Sequence, residues 1–365
     1  MNNIYSWHKE TWRILTQDSA FVGHALLLKG RQGIGKLAFG RQLAKSMLCG
    51  HPLVGGEACR SCPSCGWFEQ GGHPDFRLIA PEAMTEKKGV SDAAINEESA
   101  EVETGAEMES PGTEDSGGAK SRRKPSKQIR ILQIRGITEF INMSSHQNGY
   151  KVVLIYPAEA MNHEAANALL KNLEEPPPRT LFILVTHRAQ YLLPTIRSRC
   201  RQIAMPAPDP STAIAWLEEQ GVKNPLRCLA SAGYAPLAAL EFNDDKYLER
   251  YETFIRQISA PGRFNPSMLA EEMQKSDLPA VVNWLQKWCY DLMSFRTTGK
   301  IRYHLDMLAP IKSLTSGIDP RSLAAFLRIL NETQRLAHHP LNARLFLEEM
   351  LFSYVMSVAP QEHTH

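Results

Sequence analysis

The chain has 365 residues, 43% of them hydrophobic, with 41 Lys and Arg against 39 Asp and Glu for a formal charge of +2. That length supports two or three domains with their own hydrophobic cores and no need for covalent staples. The near balance of charge excludes a whole-chain field that would draw the protein onto nucleic acid or a membrane, so any basic function must be local. The opening stretch MNNIYSWHKETWRIL carries two Trp, a His and several charges where a secretory signal has an apolar core, and nothing later approaches the ~18 uninterrupted apolar residues of a membrane span. The expectation is a soluble cytoplasmic protein without membrane contact, whose seven Cys are thiols or metal ligands.

In chain order, HALLLKG from His24 predicts a buried strand that ends in a glycine loop, and LAFGRQLAKSMLCG continues with helix-period apolar residues at Leu37, Leu43 and Met47. A Cys-rich segment lies between positions 49 and 65. From Glu82 to Ala119 the composition collapses to eleven acidic residues and two Lys with no aromatic residue, and the basic run KSRRKPSK follows at 120–127. A segment of about 82–127 of this kind cannot bury enough apolar surface to fold, and predicts a disordered surface insert. IRILQIRGITEFINM then resumes helical periodicity. KVVLIY (151–156) and TLFILVT (180–186) predict two further buried strands, separated by the helix NHEAANALLKNLEE, which stops at Pro176–Pro178. Continuous apolar strands alternating with helices predict an α/β domain with a parallel sheet over residues 1–206.

Beyond Pro210 the strand pattern disappears. PSTAIAWLEEQG, NPLRCLASAG and APLAALEF predict three short helices in a small domain at 207–250, with Ser211 and Asn224 as N-caps and Gly221 and Gly233 as stops. From 251 to 365 longer helices predict an all-α domain. One carries Val281, Leu285, Trp288 and Leu292 at helical spacing, and another starts with Asp319 as cap and Pro320 in its first turn.

Three places carry chemistry. Gly30, Gly33, Gly35 and Lys36 follow the pattern of a phosphate loop, whose exposed backbone N–H groups at a helix start suit a phosphate, with Lys36 adding a point charge. Hydrolysis needs a magnesium held by a hydroxyl after the Lys and by a carboxylate at the end of a later strand. Leu37 stands at the first position, Tyr156 and Pro157 at the second, and Glu159 lies two or three residues too far along. The loop therefore either binds ATP or ADP without turning it over or simply joins strand to helix. Cys49, Cys59, Cys62 and Cys65 supply four thiolates for a closed tetrahedral zinc site, with an iron–sulfur cluster or free thiols as the alternatives and His51 and His73 as spare ligands. The tripeptide Ser198-Arg199-Cys200 places an always-charged guanidinium after the third strand, either to meet a nucleotide on a neighbouring subunit or, with Arg197 and Arg201, as a solvated basic strip.

Together HALLLKGRQGIGK, the Cys cluster with GGHPDF, KVVLIYPAEAMNHEAANALLKNLEEPPPRTLFILVT and LLPTIRSRC resemble the delta-prime subunits of the bacterial DNA polymerase III clamp loader, within the AAA+ proteins. The resemblance runs from about residue 7 to about residue 206 and continues more weakly through AGYAPLAAL and LNARLFLEEML. It implies a P-loop (AAA+) α/β domain, a helical lid and an all-α collar that joins subunits into a pentamer. It also implies a stator that does not hydrolyse ATP, offers Arg199 to the ATP site of an adjacent motor subunit and holds structural zinc at Cys49, Cys59, Cys62 and Cys65. Pro236 stands where motor subunits carry a further Arg. Implied partners are the motor ATPase subunits, the clamp-opening delta subunit and, through the complex, the sliding clamp and primed DNA. Outside the resemblance, the residues leave open an independent ATPase that uses Glu159, or a zinc-dependent nucleic-acid-binding module.

Overall fold

The computed structural model describes residues 4–17, 23–88, 125–145, 149–337 and 341–358. The chain forms two compact units, Met1–Arg31 with Gly35–Pro206 and Gln32–Ile34 with Ala207–His365.

In the first unit the described residues build one five-stranded sheet in which every pairing is parallel. β1 is Ala25–Lys29, β2 Phe76–Ile79, β3 Lys151–Ile155, β4 Thr180–Thr186 and β5 Arg201–Ala204, in the spatial order β2-β3-β4-β1-β5. Leu27 pairs with Leu184 on one side and Gln202 on the other, which sets β1 between β4 and β5. β3 and β4 are buried along their whole length, as a sheet covered on both faces requires, and this is why they read as unbroken apolar runs. The two strands that periodicity does not announce are the edges. β5, RQIA, leaves Arg201, Gln202 and Ala204 exposed, as an edge strand does when polar side chains discourage further pairing.

Seven α-helices accompany the sheet among the described residues: α1 Lys9–Gln17, α2 Lys36–Leu48, α3 Pro63–Glu69, α4 Glu82–Lys88, α5 Ile131–Asn142, α6 His163–Glu174 and α7 Pro194–Arg199. On one face Ile134, Ile137 and Phe140 of α5, Leu169 and Leu173 of α6 and Ile196 of α7 join Val153, Ile155, Phe182 and Leu184 in a single core. α2 approaches the sheet closely at Gly40, where a Cβ would lie 3.1 Å from Leu154 Cδ1.

Composition places Glu82 and Ser126 inside the unfolded insert, and here the structure differs. Glu82–Lys88 is helical, Ser126 N–H donates to Glu82 Oε2 at 2.9 Å, and Ala83 N–H donates to the Ser126 carbonyl at 3.0 Å. These hydrogen bonds join the two ends of the segment to each other, 44 positions apart for Ser126 and Glu82, and extend the fold past the point where composition changes. The remainder of the predicted insert lies outside the described residues.

The second unit is helical: α8 Pro210–Glu219, α9 Pro225–Ser231, α10 Pro236–Ala239, α11 Asp245–Ile258, α12 Pro266–Met273, α13 Leu278–Thr298, α14 Leu308–Thr315, α15 Pro320–Leu336 and α16 Ala343–Val358. The cap of α8 is Asp209 and not Ser211: its carboxylate accepts Thr212 N–H at 3.0 Å, and Ser211 falls inside the first turn, donating to the same side chain. Asp319 caps α15 by accepting from Arg321 and Ser322. Gly221 and Gly233, at φ of +78° and +74°, follow α8 and α9 in the left-handed conformation that ends helices. Trp288 of α13 and Tyr354 of α16 sit in the core, where the indole N–H donates to the Tyr354 hydroxyl at 2.9 Å and that hydroxyl donates to the Ile258 carbonyl at 2.8 Å. No helix among the described residues is long and apolar enough to cross a membrane.

Candidate functional sites

The glycine loop joins the C-terminal end of β1 to α2, at the carboxyl ends of the parallel strands, where ligands bind in α/β folds. Gly33 and Gly35 have φ of +78° and +94°, values that disfavour any side chain, and Gly35 is the N-cap residue of α2. Within the second unit, the Gly33 carbonyl accepts Leu237 N–H at 2.9 Å. Within the first, the Tyr5 ring covers Gly35 so closely that a Cβ there would lie 2.4 Å from it.

Lys36 is 2% exposed, and its ammonium donates to the Gly30 carbonyl at 2.7 Å, to the Arg31 carbonyl and to Nδ1 of His187 at 2.9 Å. An ammonium has three N–H donors, so each has a partner inside the chain. Burial draws Lys36 down to about 8, opposed by the carboxylate of Glu159. His187 stands just past β4, and burial, then Lys36 and Arg188, hold it near 3. Its ring is therefore neutral, with the Nδ1 lone pair turned to Lys36. The His187 backbone N–H donates to Glu159 Oε1 at 2.9 Å, and Tyr156 packs edge-on to the His187 ring at 5.5 Å. Leu37 offers no oxygen to a magnesium ion, Pro157 offers no side-chain ligand, and Lys36 must leave two carbonyls before it can meet a phosphate. The donors present do not fit a magnesium–nucleotide centre, and no hydrolytic step follows from them.

The four cysteines do converge. α2 ends at Leu48, which puts Cys49 at the helix end, while Cys62 caps α3 by accepting Cys65 N–H at 3.5 Å. The four Sγ atoms all lie within 4.8 Å of one another, with Cys49–Cys62 at 3.9 Å and Cys49–Cys65 at 3.7 Å. Zinc–sulfur bonds of about 2.3 Å in a tetrahedron require sulfur–sulfur edges of about 3.8 Å, so the donor set fits zinc. Cys59 N–H donates to Cys49 Sγ at 3.3 Å, and hydrogen bonds from Ser61 bring the Cys59 thiol down to about 5 while burial pushes Cys65 up to about 12. A cation held by all four would supply the charge that lets the buried thiols ionise, and four protein ligands leave no open position for catalysis. His73 is not a ligand: its Nε2 meets the Ser64 hydroxyl at 2.8 Å and its Nδ1 accepts Asp75 N–H at 3.1 Å. His51 is exposed.

Arg199 is the last residue of α7. Its Nη1 donates to the Thr195 carbonyl at 3.0 Å and its Nη2 pairs with Glu174 Oε1, at the end of α6, at 2.6 Å. The side chain is 35% exposed. The two neighbours of the tripeptide serve the backbone and the core: the Ser198 hydroxyl donates to Thr195, and Cys200 is buried, with its thiol pushed up to about 12 by burial. Among the described residues, the polar contacts of Arg199 are with α6 and α7 and not with the glycine loop.

Two participants escape sequence reasoning. His187 carries only its position immediately past a buried parallel strand as a signal, and Glu174 is one of two adjacent carboxylates that close a helix.

A family model described as DNA polymerase III, delta subunit, matches residues 8–209, and one described as DNA polymerase III, delta subunit, C terminal, matches residues 245–355. The DNA polymerase III subunit delta' of Pseudomonas aeruginosa is 32% identical over 304 residues, covering 82% of this chain and 80% of that protein. The Escherichia coli subunit of the same name is 29% identical over 310 residues, covering 83% and 80%. A crystal structure of a DNA polymerase III gamma subunit-related protein from Thermotoga maritima aligns with 96% of this chain and 99% of its own, at 17% identity and a TM-score of 0.39. With the first model spanning more than half of the residues and close relatives covering most of them, the chain belongs to the DNA polymerase III subunit delta' family.

Proposed function

We propose that the chain is a non-hydrolysing stator subunit of the DNA polymerase III clamp loader, which helps place the sliding clamp on primed DNA and lends Arg199 to the ATP site of an adjacent motor subunit. The observation that carries this is the state of the two cationic side chains. Arg199 stands partly exposed at a helix end anchored in the core, whereas Lys36 is buried and bonded to its own loop beside a position that has no magnesium ligand. An always-charged, planar guanidinium is suited to the charge on a transferring phosphoryl group. Residues 207–250 act as lid and 251–365 as collar in this scheme. The exposed apolar side chains Ile329 and Leu336 of α15 and Leu345, Phe352 and Met356 of α16 support an oligomerising role for the collar. Zinc at Cys49, Cys59, Cys62 and Cys65 is structural, and the partners are the motor subunits, the delta subunit and, through the complex, clamp and DNA.

The test is Arg199→Ala in the reconstituted loader with primed DNA and clamp. Loss of an arginine finger slows the served site by roughly 10³ or more. An unchanged hydrolysis rate would remove Arg199 from that role.

A further inference from the structure

We infer that Glu174 is a positioning residue for Arg199: it holds the guanidinium in one orientation before any partner arrives. The inference rests on the role proposed above for Arg199. A guanidinium has five N–H donors. Two are engaged, one of Nη1 by the Thr195 carbonyl and one of Nη2 by Glu174, and this leaves Nε–H and one N–H on each terminal nitrogen for an incoming anion. These two contacts, with the covalent attachment through Nε as the third point, define the plane of the group.

The placement of Glu174 is otherwise unfavourable. It closes α6, and a carboxylate at a helix C-terminus faces the negative end of the helix dipole. The Arg199 cation 2.6 Å away offsets that repulsion. The platform that sets the pair is rigid, because Leu173 of α6, Ile196 of α7 and Cys200 share one core, and His24 Nε2 meets the Leu173 carbonyl at 3.0 Å in the last turn of α6. An Arg free in solvent samples many rotamers, and ordering it only when the neighbouring nucleotide arrives would burden the step it serves. A pair with side chains 35% and 47% exposed is weak enough to orient the group without trapping it.

The test uses the complete reconstituted loader with Glu174→Ala, Glu174→Gln, Arg199→Ala and the Glu174→Ala/Arg199→Ala double variant, each first checked for an unchanged melting temperature and full assembly. The readouts are kcat and KM for ATP in DNA-stimulated hydrolysis. Glu174→Ala should lower kcat by roughly threefold to fivefold, the range open to an exposed pair, with KM unchanged. Glu174→Gln, which keeps the acceptor oxygen, should recover most of the rate. In the Arg199→Ala background the Glu174 substitution should have no further effect, since the pair acts as one unit. An equal or faster kcat in Glu174→Ala, or the same loss with Arg199 already removed, overturns the positioning role while leaving the finger intact. A normal rate in Arg199→Ala alone overturns the finger itself, and the positioning role with it.

Discussion

Replacing Lys36 by Met tests whether that ammonium is a buried structural cation. Met keeps an unbranched side chain of similar length and removes the charge and all three donors. Burial lowers the folded-state value from 10.5 to about 8, so the unfolded chain holds the proton more tightly and protonation favours unfolding. Stability from this group is lowest below about pH 8, where both states are protonated, and rises as pH climbs towards 10.5. Between about pH 7.5 and about pH 9.5 the linkage amounts to about 2 kcal/mol in favour of the wild type, and Lys36→Met lacks it altogether. His187, held near 3, stays neutral throughout that window, and burial keeps the Tyr156 phenol above its ordinary range, so neither adds to the difference. Urea unfolding of both proteins at the two pH values gives the quantity directly, because the titration of all other groups cancels in the subtraction. A difference that stays flat to within ~0.5 kcal/mol would show that Lys36 is solvated and free, and the tie between the ammonium and its own loop would be refuted.

The remaining predictions concern the metal and the helical core. The purified chain should carry one zinc per molecule by elemental analysis, and Cys62→Ser should abolish retention and lower the melting temperature, with zinc released as pH falls because protons compete for the thiolates. Tyr354→Phe removes the hydroxyl that links Trp288 to the Ile258 carbonyl and should cost about 1–3 kcal/mol, read as a lower urea midpoint with an unchanged slope.

Much of the first unit is legible residue by residue. β3 and β4 show as continuous apolar runs because both faces of the sheet are covered, and the glycine loop and Cys spacing announce themselves because local chain geometry is all that they require. β2 and β5 do not show. Each is four residues long and lies at a sheet edge, where one neighbour suffices and polar side chains are tolerated. The cap of α8 illustrates a smaller failure of the same kind: Asp209 and Ser211 are both capping residue types, and only the backbone conformation selects the former.

The sequence by itself determined the chemical inventory: which residue follows the loop lysine, that four thiols lie within seventeen positions, and that one tripeptide carries an arginine. Those are properties of covalent order, and folding cannot change them. Only the tertiary structure decided that Lys36 meets His187 from 151 positions away, and that Arg199 is held by a carboxylate from a different helix. Such pairs arise when strand order brings distant segments together, and packing then encloses Lys36 while it leaves Arg199 partly exposed.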